Sequence, residues 1–359
     1  MYIKMLTLNQ FRNYNQAQIE LCNGINILMG DNAQGKTNIL EAIYLCATAR
    51  SHRTSREKEV IRWSKMQSNI QLEVQKSTIN HKIDFQIAES GKRVLINKLP
   101  VIKLGELFGV LNVVMFSPED LQLIKKSPKE RRRFLDIELC QFDKLYYHSL
   151  KQYHKILKQR NQLLKSCKSQ DMELLEVWDN QLVQYGNEII DKRKKFIAEL
   201  DLVARKIHLE ISGNQETLSL VYECNVTQDV FLKKLESSRQ RDIIRGNTSY
   251  GPHKDDLNFM INDVSARVYG SQGQQRTIVL AMKLAEIEMM EKYLGEKPIL
   301  LLDDVLSELD SKRQEYLFNY TQNTQTLITC TGIEQSVWKN QKIGKLYKVA
   351  NGIIKEEKH

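Results

Sequence analysis

No stretch of this 359-residue chain approaches about 18 uninterrupted apolar residues, so no membrane-spanning helix is expected. Cysteine is sparse and scattered. Cys22, Cys46, Cys140, Cys167, Cys224 and Cys330 lie far apart with no C-x-x-C pair. That spacing speaks against a disulfide frame or a zinc site and for reduced thiols in a cytoplasmic protein. The opening Met1-Tyr2-Ile3-Lys4-Met5-Leu6 reads as a strand and lacks signal-peptide organisation. There is no internal repeat, no low-complexity tract, no separate cluster of acids of the kind a metal-dependent nuclease needs, and no recognition-helix signature.

Charge is present in both signs but unevenly placed. The chain carries a net charge of +9, and residues 125–168 alone hold 13 Lys/Arg against 4 Asp/Glu. The whole excess therefore sits in one segment. Two readings stay open at this point: a solvated basic helix, or a surface for a polyanion.

Met1–Leu8 alternates apolar and polar residues, as do segments near Ile70–Gln75, Lys82–Ile87 and Arg93–Ile96, with Ser90-Gly91 as a hairpin turn. Ile25–Met29 is a buried-type strand, and Asn38–Thr48 reads as a helix. At Ser117-Pro118-Glu119-Asp120 the pattern changes to helical, with Ser-x-x-Asp as an N-cap signature. Tyr146, Leu150, Tyr153, Leu157 and Leu164 form one heptad seam, with Arg160 at the skipped position. Trp178, Leu182, Tyr185, Ile189, Phe196 and Val203 form a second, after a polar turn near Ser166–Gln170. Two such helices pack as an antiparallel hairpin, with the aromatics as its core. Strand-like sequence returns at Thr217–Cys224, a helix follows near Val230–Ser238, and Gly251–Leu257 turns into a hairpin. Gln274–Leu294 is helical, Pro298–Leu302 reads as a buried parallel strand, and Thr326–Thr329 and Lys345–Val349 supply two more. The outcome is an α/β body split around a helical insert.

Gly30-Asp31-Asn32-Ala33-Gln34-Gly35-Lys36-Thr37 matches G-x-x-x-x-G-K-[ST] in full, with the required strand before it and helix after it. The glycines let backbone N–H groups curl around phosphate oxygens at a positive helix end. Lys36 reaches the terminal phosphates of ATP, and the Thr37 hydroxyl is a ligand for Mg²⁺. Leu300-Leu301-Leu302-Asp303-Asp304 fits a Walker B strand, with Asp303 on Mg²⁺ and Asp304 placed to orient or deprotonate a water. Catalysis would thus fall to Asp304 and Lys36. Gly270-Ser271-Gln272-Gly273-Gln274-Gln275-Arg276 precedes the long helix. Taken alone it is either an anion site or an ordinary N-cap.

These three motifs, in this order, resemble the ABC-type ATPase heads of the SMC and Rad50 group. Ser271–Gln275 is close to that group's Leu-Ser-Gly-Gly-Gln signature, and Val305–Asp310 looks like its D-loop. Phe11-Arg12-Asn13-Tyr14, Gly24-Ile25-Asn26, Ser51-His52-Arg53-Thr54, Phe116–Leu121, Pro128–Asp136 and Gly251–Leu257 are similar to the RecF family of bacterial recombination mediators. The insert is far too short for true SMC or Rad50 arms: helices of about 30–40 residues span only about 45–60 Å.

The resemblance implies an ABC-type head with a short antiparallel helical hairpin inserted: residues 1–116 as the ATPase lobe with the P-loop, 117–210 as the helical insert, and 211–359 completing the lobe with signature and Walker B. It adds Arg12 and Asn13 to the ATP site. It implies a homodimer with two ATPs sandwiched, Ser271, Gln272, Gly273 and Gln274 acting in trans. It also implies binding of single- and double-stranded DNA near gaps, help to RecO and RecR in loading RecA, and support of replication and the SOS response. The basic residues offer phosphate contacts for such DNA: Arg50, Arg53, Arg56, Lys125, Lys126, Lys129, Arg131, Arg132 and Arg133. Two departures point to slow hydrolysis. Asp304 stands where the wider group has Glu, and Thr329-Cys330-Thr331-Gly332 stands where many members have a switch histidine. Gln122 is the Q-loop candidate. The rivals are a P-loop kinase, which lacks the signature, and a transporter's ATPase subunit, which carries the histidine.

Overall fold

The computed structural model describes residues 1–54, 56–76, 79–166, 171–332 and 343–357. The chain divides into two compact units, residues 1–120 with 280–359, and residues 121–279.

The first unit carries two six-stranded sheets. One is antiparallel, in the order β2-β1-β4-β5-β6-β7, built from β1 (Tyr2–Phe11), β2 (Tyr14–Glu20), β4 (Gln67–Gln75), β5 (Asn80–Ala88), β6 (Gly91–Ile96) and β7 (Leu99–Pro100). The alternation predicted from sequence is real: Ile70, Leu72 and Val74 of β4 are buried, as are Ile83, Phe85 and Ile87 of β5. Ala88 pairs with Gly91, so the hairpin turn is Glu89-Ser90, one residue earlier than expected.

The second sheet runs β15-β14-β3-β13-β12-β8, from β3 (Ile25–Met29), β8 (Val113–Phe116), β12 (Ile299–Asp303), β13 (Thr326–Cys330), β14 (Ile343–Ala350) and β15 (Ile353–Glu357). All its neighbours are parallel except the β14–β15 hairpin. β3, β12 and β13 are buried on both faces, which is why they read as continuous apolar runs. The order β3-β13-β12 puts the carboxyl ends of β3 and β12 on one edge, two strands apart. Helices α1 (Lys36–Thr48) and α8 (Ser311–Thr321) belong to this unit.

The second unit holds α2 (Gln122–Lys125), α3 (Pro128–Phe142), α4 (Lys144–Ser166), α5 (Met172–Ile211), α6 (Phe231–Arg245) and a sheet ordered β11-β10-β9. These strands are β9 (Leu218–Glu223), β10 (Asp256–Ile261) and β11 (Val264–Ser265). Gln122, the Q-loop candidate, opens α2. The boundary expected at residue 211 is therefore displaced. Residues 211–279 fold with the helices, because β9 and β10 pair with each other and not with the strands of the first unit. The division falls within α7 (Gln272–Leu294).

α4 packs along α5 as an antiparallel pair, as predicted, but α5 has 40 residues (about 60 Å) and α4 only 23. α4 starts late because Asp143 accepts hydrogen bonds from the N–H groups of Leu145 and Tyr146, which caps a new helix. The buried line of α5 is Leu175, Asp179, Leu182, Gly186, Ile189, Arg193, Phe196 and Leu200. Trp178, Tyr185 and Val203 flank it and are only partly buried. The turn at 167–170 and Cys167 lie outside the described residues; the five described cysteines are free. Among the described residues no helix is long and apolar enough to cross a membrane.

Candidate functional site

At its two glycines the loop between β3 and α1 leaves no room for a side chain. A Cβ on Gly30 would lie 2.2 Å from the carbonyl oxygen of Val349. Gly35 sits at φ 115°, and a Cβ there would meet the Asn13 side chain at 2.6 Å. Gly35 is also the N-cap of α1 and supplies no side-chain acceptor, and the first turn has no acid. The positive end of the helix is thus left open to an anion. Lys36 is 4% exposed, and its ammonium donates to the carbonyls of Gly30 (2.6 Å) and Asp31 (3.0 Å).

Thr37 and Asp303 come together across the sheet, as the strand order requires. The Thr37 hydroxyl donates to Asp303 Oδ1 at 2.8 Å, and the Thr329 hydroxyl donates to the same oxygen at 2.8 Å. Burial pushes the Asp303 carboxyl up from its ordinary value, the two hydroxyls pull it down, and neighbouring Asp304 pushes it up again. Asp304 stands at φ 51°, with its N–H held by Thr329 Oγ1 at 2.9 Å. Thr329, the first residue of the Thr329–Gly332 stretch, therefore contacts both acids. Asp304 lines a cleft of about 750 Å³ with Asn32, Ser307, Thr329 and Cys330. Ser307, in the D-loop candidate, donates to the Asp304 carbonyl at 2.8 Å. A hard cation set between a hydroxyl and a carboxylate, beside a cradle that excludes a Cβ, is what a metal–polyphosphate pair needs. Thr37 and Asp303 fit the Mg²⁺ role and Gly30–Thr37 the phosphate role.

Arg12 and Asn13 brace this loop. Arg12 makes a bidentate pair with buried Glu41 of α1 (2.9 and 2.6 Å), while Ser51 donates to the same carboxylate. Burial would raise the Glu41 carboxyl, but the Arg12 pair and the Ser51 bond hold it below its ordinary value. Asn13 Nδ2 donates to the Gln34 carbonyl at 2.9 Å. Arg53 joins the cluster through Asn38 Oδ1 at 2.9 Å. Sequence reasoning missed Glu41 and, while it singled out the Ser51-His52-Arg53-Thr54 motif, gave Ser51 no role; Glu41 is an acid on the buried face of a helix, the one available signal.

In the second unit, Ser271 and Gln274 form a reciprocal capping box. The Gln274 N–H donates to Ser271 Oγ (3.2 Å) and the Ser271 N–H donates to Gln274 Oε1 (2.8 Å). Ser271 and Gln272 are exposed at the head of α7, with Gly273 partly so. The N-cap reading is thus realised, and the exposed helix end beside it keeps the anion reading available.

The basic segment is less basic at the surface than its sequence. Arg131 is 1% exposed and bidentate to Asp256 (2.6 and 2.9 Å), with further bonds to the Leu123 and Lys126 carbonyls. It is a structural cation, and the phosphate role expected for it is withdrawn. Arg132 donates to the Asp255 carbonyl at 2.6 Å, and Arg133 is partly buried on α3. Arg160 is wholly buried between Asp179 (2.6 Å) and Asp242 (3.0 Å). Lys125, Lys126, Lys129, Arg50, Arg53 and Arg56 are exposed.

The Gly251–Leu257 motif turns out to be a hub. Arg193 of α5 reaches the Pro252 carbonyl (2.7 Å), Asp255 (3.0 Å), Asp136 (2.8 Å) and the Tyr146 hydroxyl (3.1 Å). His253 Nε2 lies 3.1 Å from the Thr248 carbonyl and Nδ1 lies 2.6 Å from the Tyr153 hydroxyl. A carbonyl only accepts, so Nε2 carries the proton and Nδ1 accepts from Tyr153. Burial, with Lys254, His154 and Arg132 nearby, lowers the His253 pKa from 6.5 to about 4. Between those two values the unfolded chain takes up a proton that the folded chain refuses. Stability is therefore full above pH 6.5 and falls as the pH drops toward about 4. The expected loss is up to about 3 kcal/mol. Denaturant titrations from pH 7 to 4 should show that increment in the wild type and not in His253→Asn; equal slopes would remove His253 from the account.

A family profile described as the RecF/RecN/SMC N terminal domain matches residues 2–355. The chain is 48% identical over 360 residues to the DNA replication and repair protein RecF of Clostridium perfringens, covering 99% of each. It is 47% identical to the protein of the same description from Agathobacter rectalis, again covering 99% of each. A solved structure of the recombination mediator protein RecF with ATP in the RecFOR pathway superposes with a TM-score of 0.92 at 35% identity, over 99% of this chain and 98% of the other. The Smc head domain from Pyrococcus furiosus reaches 0.56 at 15% identity, over 99% and 96%, and shares the fold. With an ABC-type ATPase head and full-length likeness on this scale, the chain belongs to the RecF family.

Proposed function

We propose that the chain is an ATP-dependent DNA-binding switch of recombinational repair. The observation that carries this is the convergence of Thr37 and Asp303, 2.8 Å apart, beside a glycine-capped helix end. ATP lies along Gly30–Thr37 with Lys36 on its terminal phosphates, and Mg²⁺ is held by Thr37 and Asp303. When bound, Mg²⁺ neutralises phosphate charge. Asp304 orients the attacking water. Its shorter carboxylate, and the lack of a switch histidine in Thr329-Cys330-Thr331-Gly332, make turnover slow. A switch needs only a difference in affinity between two states, not speed.

The second jaw of the site is Ser271–Gln274 of another copy. Two chains close on two ATPs, and hydrolysis releases them. The dimer binds single- and double-stranded DNA at gaps through exposed Lys125, Lys126, Lys129 and Arg50. It then assists RecO and RecR in loading RecA, with replication restart and the SOS response downstream. The kinase and transporter readings lose ground to the full-length likeness to RecF proteins.

Sedimentation with and without ATP and gapped DNA tests this. The wild type is expected to dimerise with ATP and to shift further with DNA. Ser271→Arg, which puts an unmatched charge and bulk at the closing surface, should still bind ATP but dimerise about 100-fold more weakly. Undiminished dimerisation of that variant would sink the sandwich.

A further inference from the structure

Trp63 is 93% exposed and Met66, three residues on, is 77% exposed. Neither sits on a loose tail. Trp63 and Ser64 are the centre of a turn closed by the Lys65 N–H on the Arg62 carbonyl at 3.1 Å, with Ser64 at φ 63°. The turn is tied to the antiparallel sheet by the residues before it, and the chain enters β4 at Gln67 just after it. The Arg12 N–H donates to the Val60 carbonyl (2.7 Å) and the Arg62 N–H to the Gln10 carbonyl (2.9 Å). The Arg62 guanidinium also reaches the Asn13 carbonyl at 3.3 Å. An indole held rigidly in water loses the stabilisation its burial would bring.

Its surroundings are cationic. Residues 56–66 carry Arg56, Lys58, Arg62 and Lys65 against Glu57 and Glu59. Lys58 and Lys65 are exposed. Arg56, 84% exposed at its side chain, meets Glu59 only at 3.9 Å, a pair too solvated to hold it. Glu57 is taken by Lys92.

We propose that Trp63 is a stacking platform for an unpaired base of single-stranded DNA, with Lys58, Lys65 and Arg56 on the flanking phosphates. The inference rests on the DNA-binding reading above and adds a site to it. An aromatic face among cations suits every base and needs no sequence code. A duplex keeps its base faces stacked, so it can use the cations but not the indole. A protein partner is the weaker fit, since lysine is depleted from the cores of protein interfaces.

The test compares wild type, Trp63→Ala and Trp63→Phe by anisotropy with labelled oligothymidylate and with a blunt duplex of equal length, alongside sedimentation with ATP. Trp63→Ala should weaken single-strand binding about 10-fold, leave duplex binding within about twofold, and keep the ATP-dependent dimer. Trp63→Phe should recover most of the loss. Equal single-strand affinity for all three proteins, or equal loss on duplex, overturns the platform while leaving DNA binding intact. Loss of the dimer in Trp63→Ala reassigns the residue to a surface between copies and also overturns it. A wild type that binds neither DNA removes the DNA reading itself and this site with it.

Discussion

Lys36→Met is expected to weaken ATP binding by at least about 100-fold while leaving the fold intact. The side chain is nearly buried, yet its hydrogen bonds go to the backbone carbonyls of Gly30 and Asp31, the loop's own first residues. A desolvated ammonium held by neutral acceptors is poised to gain on meeting a phosphate. A hydrogen bond to a charged group contributes about 1.5–3 kcal/mol, and the ammonium can make more than one to a polyphosphate. Two such bonds exceed the roughly 2.7 kcal/mol that a 100-fold change represents. Met fills a similar volume and needs no acceptor, so thermal stability should hold or rise slightly. Calorimetric titration of ATP with and without Mg²⁺ reads the effect. Thr37→Ala is the companion: it removes one Mg²⁺ ligand and should abolish the Mg²⁺ enhancement while keeping weak metal-free binding. An affinity for Lys36→Met within about threefold of wild type would end the P-loop assignment.

Local motifs were legible in the sequence because their chemistry is local. Gly30–Thr37 needs only a strand, two glycines and a helix in succession, and Leu300–Asp304 needs only an apolar run ending in acids. What could not be read is which strand pairs with which, and which acid meets which cation. β9 and β10 look like ATPase strands in sequence, but their register is with each other. The charge of the 125–168 segment was read as a surface. Yet Arg131 finds its acid at Asp256 and Arg160 at Asp242, partners distant in sequence. The α5 seam was sought among apolar residues and so passed over Asp179, Gly186 and Arg193. Gly186 belongs there because a Cβ would lie 2.5 Å from the Phe231 ring. Asp179 and Arg193 belong because each is buried against an opposite charge on another element.

Arg193→Met should destabilise the second unit by about 3–5 kcal/mol, the cost of breaking a buried ion pair by removing one partner. Arg193 ties α3, α4 and the Gly251–Leu257 turn to α5, through Asp136, Tyr146, Pro252 and Asp255. Asp255 is wholly buried. Without Arg193 its carboxylate keeps the Tyr222 hydroxyl and the Asn225 N–H as donors but loses the guanidinium bonded to it. Methionine replaces the arginine stem, so the loss reports charge and hydrogen bonding more than a cavity. Chemical denaturation of the full chain should show an early transition, while ATP affinity stays within about twofold, since Lys36, Thr37 and Asp303 belong to the other unit. Adding Asp255→Asn removes the stranded charge. The double variant should therefore be more stable than the sum of the two single changes predicts, by about 1–3 kcal/mol of coupling. Strict additivity, or a loss below about 1 kcal/mol in Arg193→Met, would make the Arg193–Asp255 pair incidental. The motif that most resembles a catalytic signature outside the ATP site, with its histidine, lysine and two aspartates, is then a scaffold. His253 is spent on Tyr153 and Thr248, Asp255 on Arg193 and Asp256 on Arg131. Only Lys254 is left facing solvent.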